Sequence, residues 1–360
     1  MTTASRQGET AVIHPPIRQT RRAALATGLA ASAAPAFATA ATAPSGAQDM
    51  AFFVGSWSVR HRRLRTQAAG GKAWEDFGGT CVNWPTLGGA GSADENLFEA
   101  PGGAWRGTGV QAFDDKTGLW SSWWIDGRTA TLDPPVRGRF RDGVGTFFGD
   151  DTVDGRPVKV RVQWSRITPR SVHWEQAFST DQGTTWKTNW ISDFTRLAQA
   201  PGDPSTSGDR HDFDFVRGRF NVRHHRLRER LAGSTEWEDF AGTSELWTTL
   251  GSHGTVDDNW LALPAGAYRA MGVRAFNEKT RQWAIWWLDA RSPNVDPPVL
   301  GGFKDGVGTF IGDDMLRGKP VKVRFQWSRI TATSAHWEQA FSPDGGSTWE
   351  TNWTMEFARA

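Results

Sequence analysis

The heptapeptide HWEQAFS occupies residues 173–179 and returns at 336–342. The offset between the copies, 163 residues, aligns the two halves of the chain without a gap. Gly55 falls on Gly218, His61 on His224, Trp74-Glu75-Asp76-Phe77 on Trp237-Glu238-Asp239-Phe240, and Asp133-Pro134-Pro135 on Asp296-Pro297-Pro298. A period this long marks a duplicated domain, because a unit of roughly 150 residues buries a core of its own. The units are expected at 49–197 and 212–360, joined by a linker at 198–211 within the Pro-, Gly- and Ser-rich run LAQAPGDPSTSGDRH.

Inside each unit the apolar period is two. Val158, Val160, Val162 and Trp164 alternate with Lys159, Arg161, Gln163 and Ser165, and Val321, Val323, Phe325 and Trp327 do the same in the second unit. That is a strand with one wet face. Such runs recur between turn signals, and no stretch sustains a capped helical stripe. The expected class is all-β: two tandem antiparallel β-barrels, with β-sandwiches as the alternative.

Thr20-Arg21-Arg22-Ala23-Ala24-Leu25 opens a small, uncharged, Ala-rich run. A positive start, a short apolar stretch and A-x-A spacing describe a secretory leader over residues 1–43. The paired arginines resemble the twin-arginine type, with Ala24 departing from its usual bulky residue. Export is therefore expected, with no membrane span in the mature protein. A net charge of +2 gives no bulk attraction for nucleic acid. The single cysteine, Cys81, excludes an intramolecular disulfide and a cysteine-built metal site, and reads as a small buried hydrophobe.

From Ser179 the chain reads S-x-D-x-G-x-T-W, and Ser342, Asp344, Gly346, Thr348 and Trp349 repeat the pattern. This resembles the Asp-box, a hairpin turn motif, and implies structure, not catalysis. Beyond it Trp186, Thr188, Trp190, Ser192, Phe194 and Arg196 are expected on one strand face. Gly55-Ser56-Trp57 near the start of the first unit, with an Arg on the closing strand, resembles the calycin pattern of lipocalins, fatty-acid-binding proteins and nitrobindin-like barrels. Gly218-Arg219-Phe220 departs from it at the aromatic. The resemblance implies a barrel whose closing Arg packs across the Trp at one end.

Several polar residues fall on core-facing positions. His61 and His224 follow Trp57/Val59 and Phe220/Val222 inward, as hydrogen-bonded core residues or ligand-facing acid–base groups, and Arg63 and Arg226 come next. Trp124, Asp126 and Arg128, matched by Trp287, Asp289 and Arg291, either orient a polar ligand group or pair at a strand end. Trp123 and Trp286 lie on the opposite face, so that strand is covered on both sides or lines a cavity. His173 with Glu175, and His336 with Glu338, share a face that reads as an outward surface pair. The leading expectation is an exported small-molecule-binding protein with Trp-lined cavities and no cofactor. Alternatives are an isomerase, cyclase or hydrolase using His with Asp or Glu, a haem-binding barrel with His61 or His173 as axial ligand, or a carbohydrate-binding protein.

Overall fold

The computed structural model describes residues 46–65, 73–153, 155–198 and 211–360; the expected leader and most of the linker lie outside them. The first half runs as an antiparallel meander: β1 Gly55–Leu64, β2 Trp74–Thr86, β3 Gly91–Ala100, β4 Gly103–Asp114, β5 Leu119–Asp126, the two-residue β6 Thr131–Leu132, β7 Val136–Arg141, β8 Val144–Val153, β9 Arg156–Ser165, β10 Ser171–Ser179 and β11 Lys187–Arg196. β11 pairs back on β1, and β5 pairs with both β4 and β7, so every strand but β6 belongs to one closed ring. The second half repeats it as β12 Gly218–Leu227, β13 Trp237–Thr249, β14 Gly254–Leu261, β15 Tyr268–Asn277, β16 Gln282–Asp289, β17 Ser292–Val295, β18 Val299–Lys304, β19 Val307–Leu316, β20 Lys319–Ser328, β21 Ser334–Ser342 and β22 Glu350–Arg359, closed by β12 on β22 and β15 on β16. Closure decides for tandem barrels and against sandwiches: a sandwich would leave β4 and β5 as edges of separate sheets, whereas here they pair from Gly107–Asp126 to Asp114–Leu119.

The alternation becomes an inside and an outside. In β9 the buried residues Val158, Val160, Val162 and Trp164 join the core of the first barrel with Trp57, Val59, Phe147 and Phe194. The second core gathers Phe220, Val222, Phe310, Val323, Trp327 and Phe357 in the same way.

One expected face is broken. Gln176 pairs with Trp190 but Ala177 pairs with Thr188, so Asn189 is an extra residue in β11, a β-bulge. Trp190 faces the interior, against Trp174 and Phe98. Trp186 lies on the outer surface beside exposed Phe148 and under Arg161. The same shift between Gln339 and Ala340 separates Trp349 from Trp353. Asn189 and Asn352 are both buried, and their side chains accept hydrogen bonds from Gln176 and Gln339.

The barrels pack on each other through the outer faces of β3–β5 and β14–β16. Val110, Trp123 and Ile125 from one side and Val256, Met271, Val273 and Trp286 from the other form a single apolar cluster. Around it the contacts are reciprocal. Leu87 N–H donates to Asp258 at 3.2 Å and Gly251 N–H to Glu95 at 3.0 Å, while Arg269 and Arg106 pair with those same carboxylates. Trp84 stacks on its counterpart Trp247, with ring centroids 6.3 Å apart. β5 and β16 are therefore covered on both faces, by their own core and by the neighbouring barrel.

Candidate functional site

One end of each barrel is plugged by chain that precedes its first strand. A 3-10 turn, Ala51–Phe53, places Phe53 against Trp57, Trp164 and Phe194, and Trp57 Nε1 donates to Phe53 O at 2.8 Å. In the second barrel Phe213 meets Trp283, Phe303 and Trp327. The terminal arginine locks the plug: Arg196 lies 4.0 Å above the Trp57 ring and donates to the carbonyls of Phe52, Val54 and Pro169. Arg359 covers Phe220 at 4.7 Å and reaches Phe215, Arg217 and Ala332 by longer bonds. Gly55 is required beneath it, at φ +117° with a Cβ position only 2.6 Å from Arg196 Nη1.

Both interior histidines are buried and held. His61 stacks on Phe77, and its Nδ1 is shared by Ser192 Oγ at 2.9 Å and Trp190 Nε1–H at 3.4 Å. His224 lies nearly parallel to Phe240, 4.5 Å away, and accepts from Trp353 Nε1–H at 3.2 Å. An indole N–H can only donate, so Nδ1 accepts and the neutral ring carries its hydrogen on Nε2. Burial first, and then Arg63 or Arg226 nearby, lowers each pKa to about 3. Neither ring holds a second proton near neutrality.

The remaining sequence candidates are largely committed to one another. Arg63 clasps Glu75 and leans over Phe77 and Trp190; Arg226 clasps Glu238 and covers Phe240 and Trp353. Asp126 is gripped by Arg128, which stacks on Trp105 at 3.9 Å, and Asp289 by Arg291, which stacks on Tyr268 at 3.6 Å. These are strand-end pairs. Trp124 packs with the Phe77, Phe98 and Trp105 cluster of the first barrel, whereas Trp287 lines the cavity of the second. His173 and His336 face outward, each bonded across to β11 or β22 through Asp193 or Glu356, with Glu175 and Glu338 at 3.9 Å. Among the described residues no group of three or more His, Cys, Asp or Glu is arranged to hold a metal.

A polar stripe crosses each interior that the sequence reading passed over. In the first barrel Asp94 is buried and takes hydrogen bonds from Asn96, Gly109 N–H and Gln111 Nε2. Burial pushes its carboxyl up, against the pull of those donors. In the second barrel Asp257 takes the same bonds from Asn259 and Gly272 N–H, but the third donor is Arg274, at 2.5 Å. A Cβ at Gly272 would stand 2.7 Å from Asp257 Oδ2, so glycine lets the carboxylate reach the backbone. The signal was present: Asp94-Glu95-Asn96 aligns with Asp257-Asp258-Asn259 on apolar strands, and Gln111 aligns with Arg274.

The second barrel encloses a cavity of about 110 Å³, reached by His224, Asp257, Asn259, Arg274, Trp287, Gln339 and Trp353. Its side chains are smaller at three aligned positions, Phe220 for Trp57, Leu261 for Phe98 and Tyr268 for Trp105, of which Leu261 lines the cavity, and larger at two lining positions, Phe325 for Val162 and Met355 for Ser192. In the first barrel Phe98 and Trp105 stack with centroids 4.0 Å apart.

No protein-family model matches the chain, and no curated protein matches it. Among solved structures it is similar to a Nostoc punctiforme protein of unknown function from the DUF3598 family, at 8% identity and TM-score 0.25, over 87% of this chain and 98% of that one. It is also similar to a variant of transferrin binding protein B from Haemophilus parasuis, at 9% identity and TM-score 0.20, over 85% of this chain and 76% of that one.

Proposed function

We propose that the chain is an exported small-molecule-binding protein of two calycin-like barrels, in which the second barrel holds the ligand. The observation that carries this reading is the cavity of about 110 Å³, with Trp287 and Trp353 in its wall and a few fixed polar groups. Its size is close to the ~150 Å³ of a cavity that holds benzene, so the ligand has about one ring. A porphyrin does not fit a cavity of that size. An acid–base enzyme built on those two rings is disfavoured by their low proton affinity.

The calycin-like reading is supported by ring closure and by the arginine laid over Trp57 or Phe220. The Asp-box-like reading is supported by Asp181 and Asp344, each of which accepts from the Ser two residues before it and from the Thr four residues after it. Export rests on the arginine pair and Ala-rich run of residues 1–43, and the unit boundaries 49–197 and 212–360 on the duplication.

Native mass spectrometry of the protein secreted from its own host tests the reading. A co-purifying compound of about one ring is expected. It should be absent from a Leu261→Phe/Tyr268→Trp variant, which gives the second barrel the larger rings of the first. Retention of the compound in that variant would place it elsewhere and sink the proposal.

A further inference from the structure

Arg274 is 8% exposed, and both of its hydrogen bonds leave from Nη1, to Thr255 and Asp257. Its Nε is buried without a partner. A guanidinium carries five donors, so one edge of this group is committed and the other is not. Holding the aspartate does not require an arginine: in the first barrel Gln111 does so at 3.0 Å while also accepting from Ser92. The extra positive charge stands only in the barrel that has the described cavity, and on its lining. A buried cation with an unused planar edge matches the geometry of a carboxylate.

Four carboxylates share that lining: Asp257, Asp296, Asp313 and Asp314. Asp257 is already engaged by Arg274, Gly272 and Asn259, and Asp313 by Lys322 at 2.6 Å. Asp296 is exposed and Asp314 half-buried, so water screens both. In the buried part of the cavity Arg274 and Asp257 offset each other's charge, and what is left without a partner there is a guanidinium donor.

Resting on the binding function given above, we propose that the second barrel takes a small carboxylate with a flat or branched apolar body, its anionic end on the unused edge of Arg274. Three probes of one shape separate the contributions: benzoate, benzyl alcohol and benzylamine, titrated calorimetrically against the full chain at about pH 8, where benzoate is ionised. Benzoate is expected to bind about tenfold or more tighter than the alcohol, the weight of one charge-assisted hydrogen bond. Arg274→Gln, which installs the residue of the first barrel, should remove that advantage and bring benzoate to the alcohol's affinity or below it. Asp257→Asn, which relieves repulsion while keeping an acceptor for Gly272 N–H, should tighten benzoate. Benzylamine binding better than benzoate, or benzoate indifferent to Arg274→Gln, overturns the carboxylate assignment while leaving a binding protein. Failure of all three probes to bind overturns both.

Discussion

A histidine ring stacked on phenylalanine and bonded by an indole has lost the water that an imidazolium needs. The consequence for His61 and His224 is a pKa near 3 where the unfolded chain has 6.5. Between those values the unfolded chain holds protons that the folded one refuses, so these two groups lower stability as pH falls through that window. Asp133, Asp258 and Asp296 act in the other direction. Partial desolvation first, and then Asp151 facing Asp133 and Asp314 facing Asp296, lift those two from 3.8 to about 6, while desolvation lifts Asp258 as far against the pull of Arg269. The folded chain takes up their protons first, so stability gains as pH falls from about 6 towards 3.8. Asp133 and Asp296 keep contact with water, which weakens their share. Below 3.8 the histidines act without that offset. His61→Gln/His224→Gln should therefore flatten the acid limb of a melting-temperature profile, while Asp296→Asn should raise the melting temperature at neutral pH. In NMR titrations the two imidazoles should show no proton uptake from about pH 8 to 5. The inward placement of both rings follows from the period-two pattern alone. Their neutrality does not, because it depends on Trp190 and Trp353, which lie 129 residues away in sequence.

At the scale of the strand, the closing arginines give the sharpest comparison. Arg196 joins three carbonyls of the plug and of the loop before β10, under a close cation–π contact; Arg359 repeats the arrangement with longer bonds and more exposure. Arg196→Met should cost on the order of 2 kcal/mol in denaturant unfolding, and Arg359→Met less. An equal cost at both sites would show that the plug, and not the arginine, closes the barrel. The strands and the closing arginines were legible because alternation and a G-x-W are local signals. The bulges were not: nothing in the local sequence marks Asn189 or Asn352, and only the partner strand reveals that one residue has no opposite number. The interior aspartates were missed for a related reason. Asp94 and Asp257 sit in runs of three polar residues that do not by themselves tell inside from outside, and donors to both come from the next strand, β4 or β15.

For the whole molecule, Trp123 and Trp286 signalled a strand covered on both sides or lining a cavity, and a linear pattern cannot choose between them or say what the cover is. The second cover is the other barrel, across an apolar cluster with reciprocal polar contacts at its margin. Two folded units joined by that much buried surface are expected to melt in one calorimetric transition. Met271→Asp buries an unpaired charge in the shared cluster, costs on the order of 3 kcal/mol and should split the transition in two. A single transition that merely moves would mean that the barrels depend on each other for folding and not only for contact.

The interface has the character of a two-fold dimer whose subunits happen to be one chain. In a true dimer of identical subunits every substitution appears twice, and an arginine placed inside one barrel is placed inside both. Continuity of the chain removes that constraint. One copy can keep a neutral Gln111 on its aspartate. The other can place the charged Arg274 there. The asymmetry between Gln111 and Arg274 is thus one that a dimer of identical subunits could not carry.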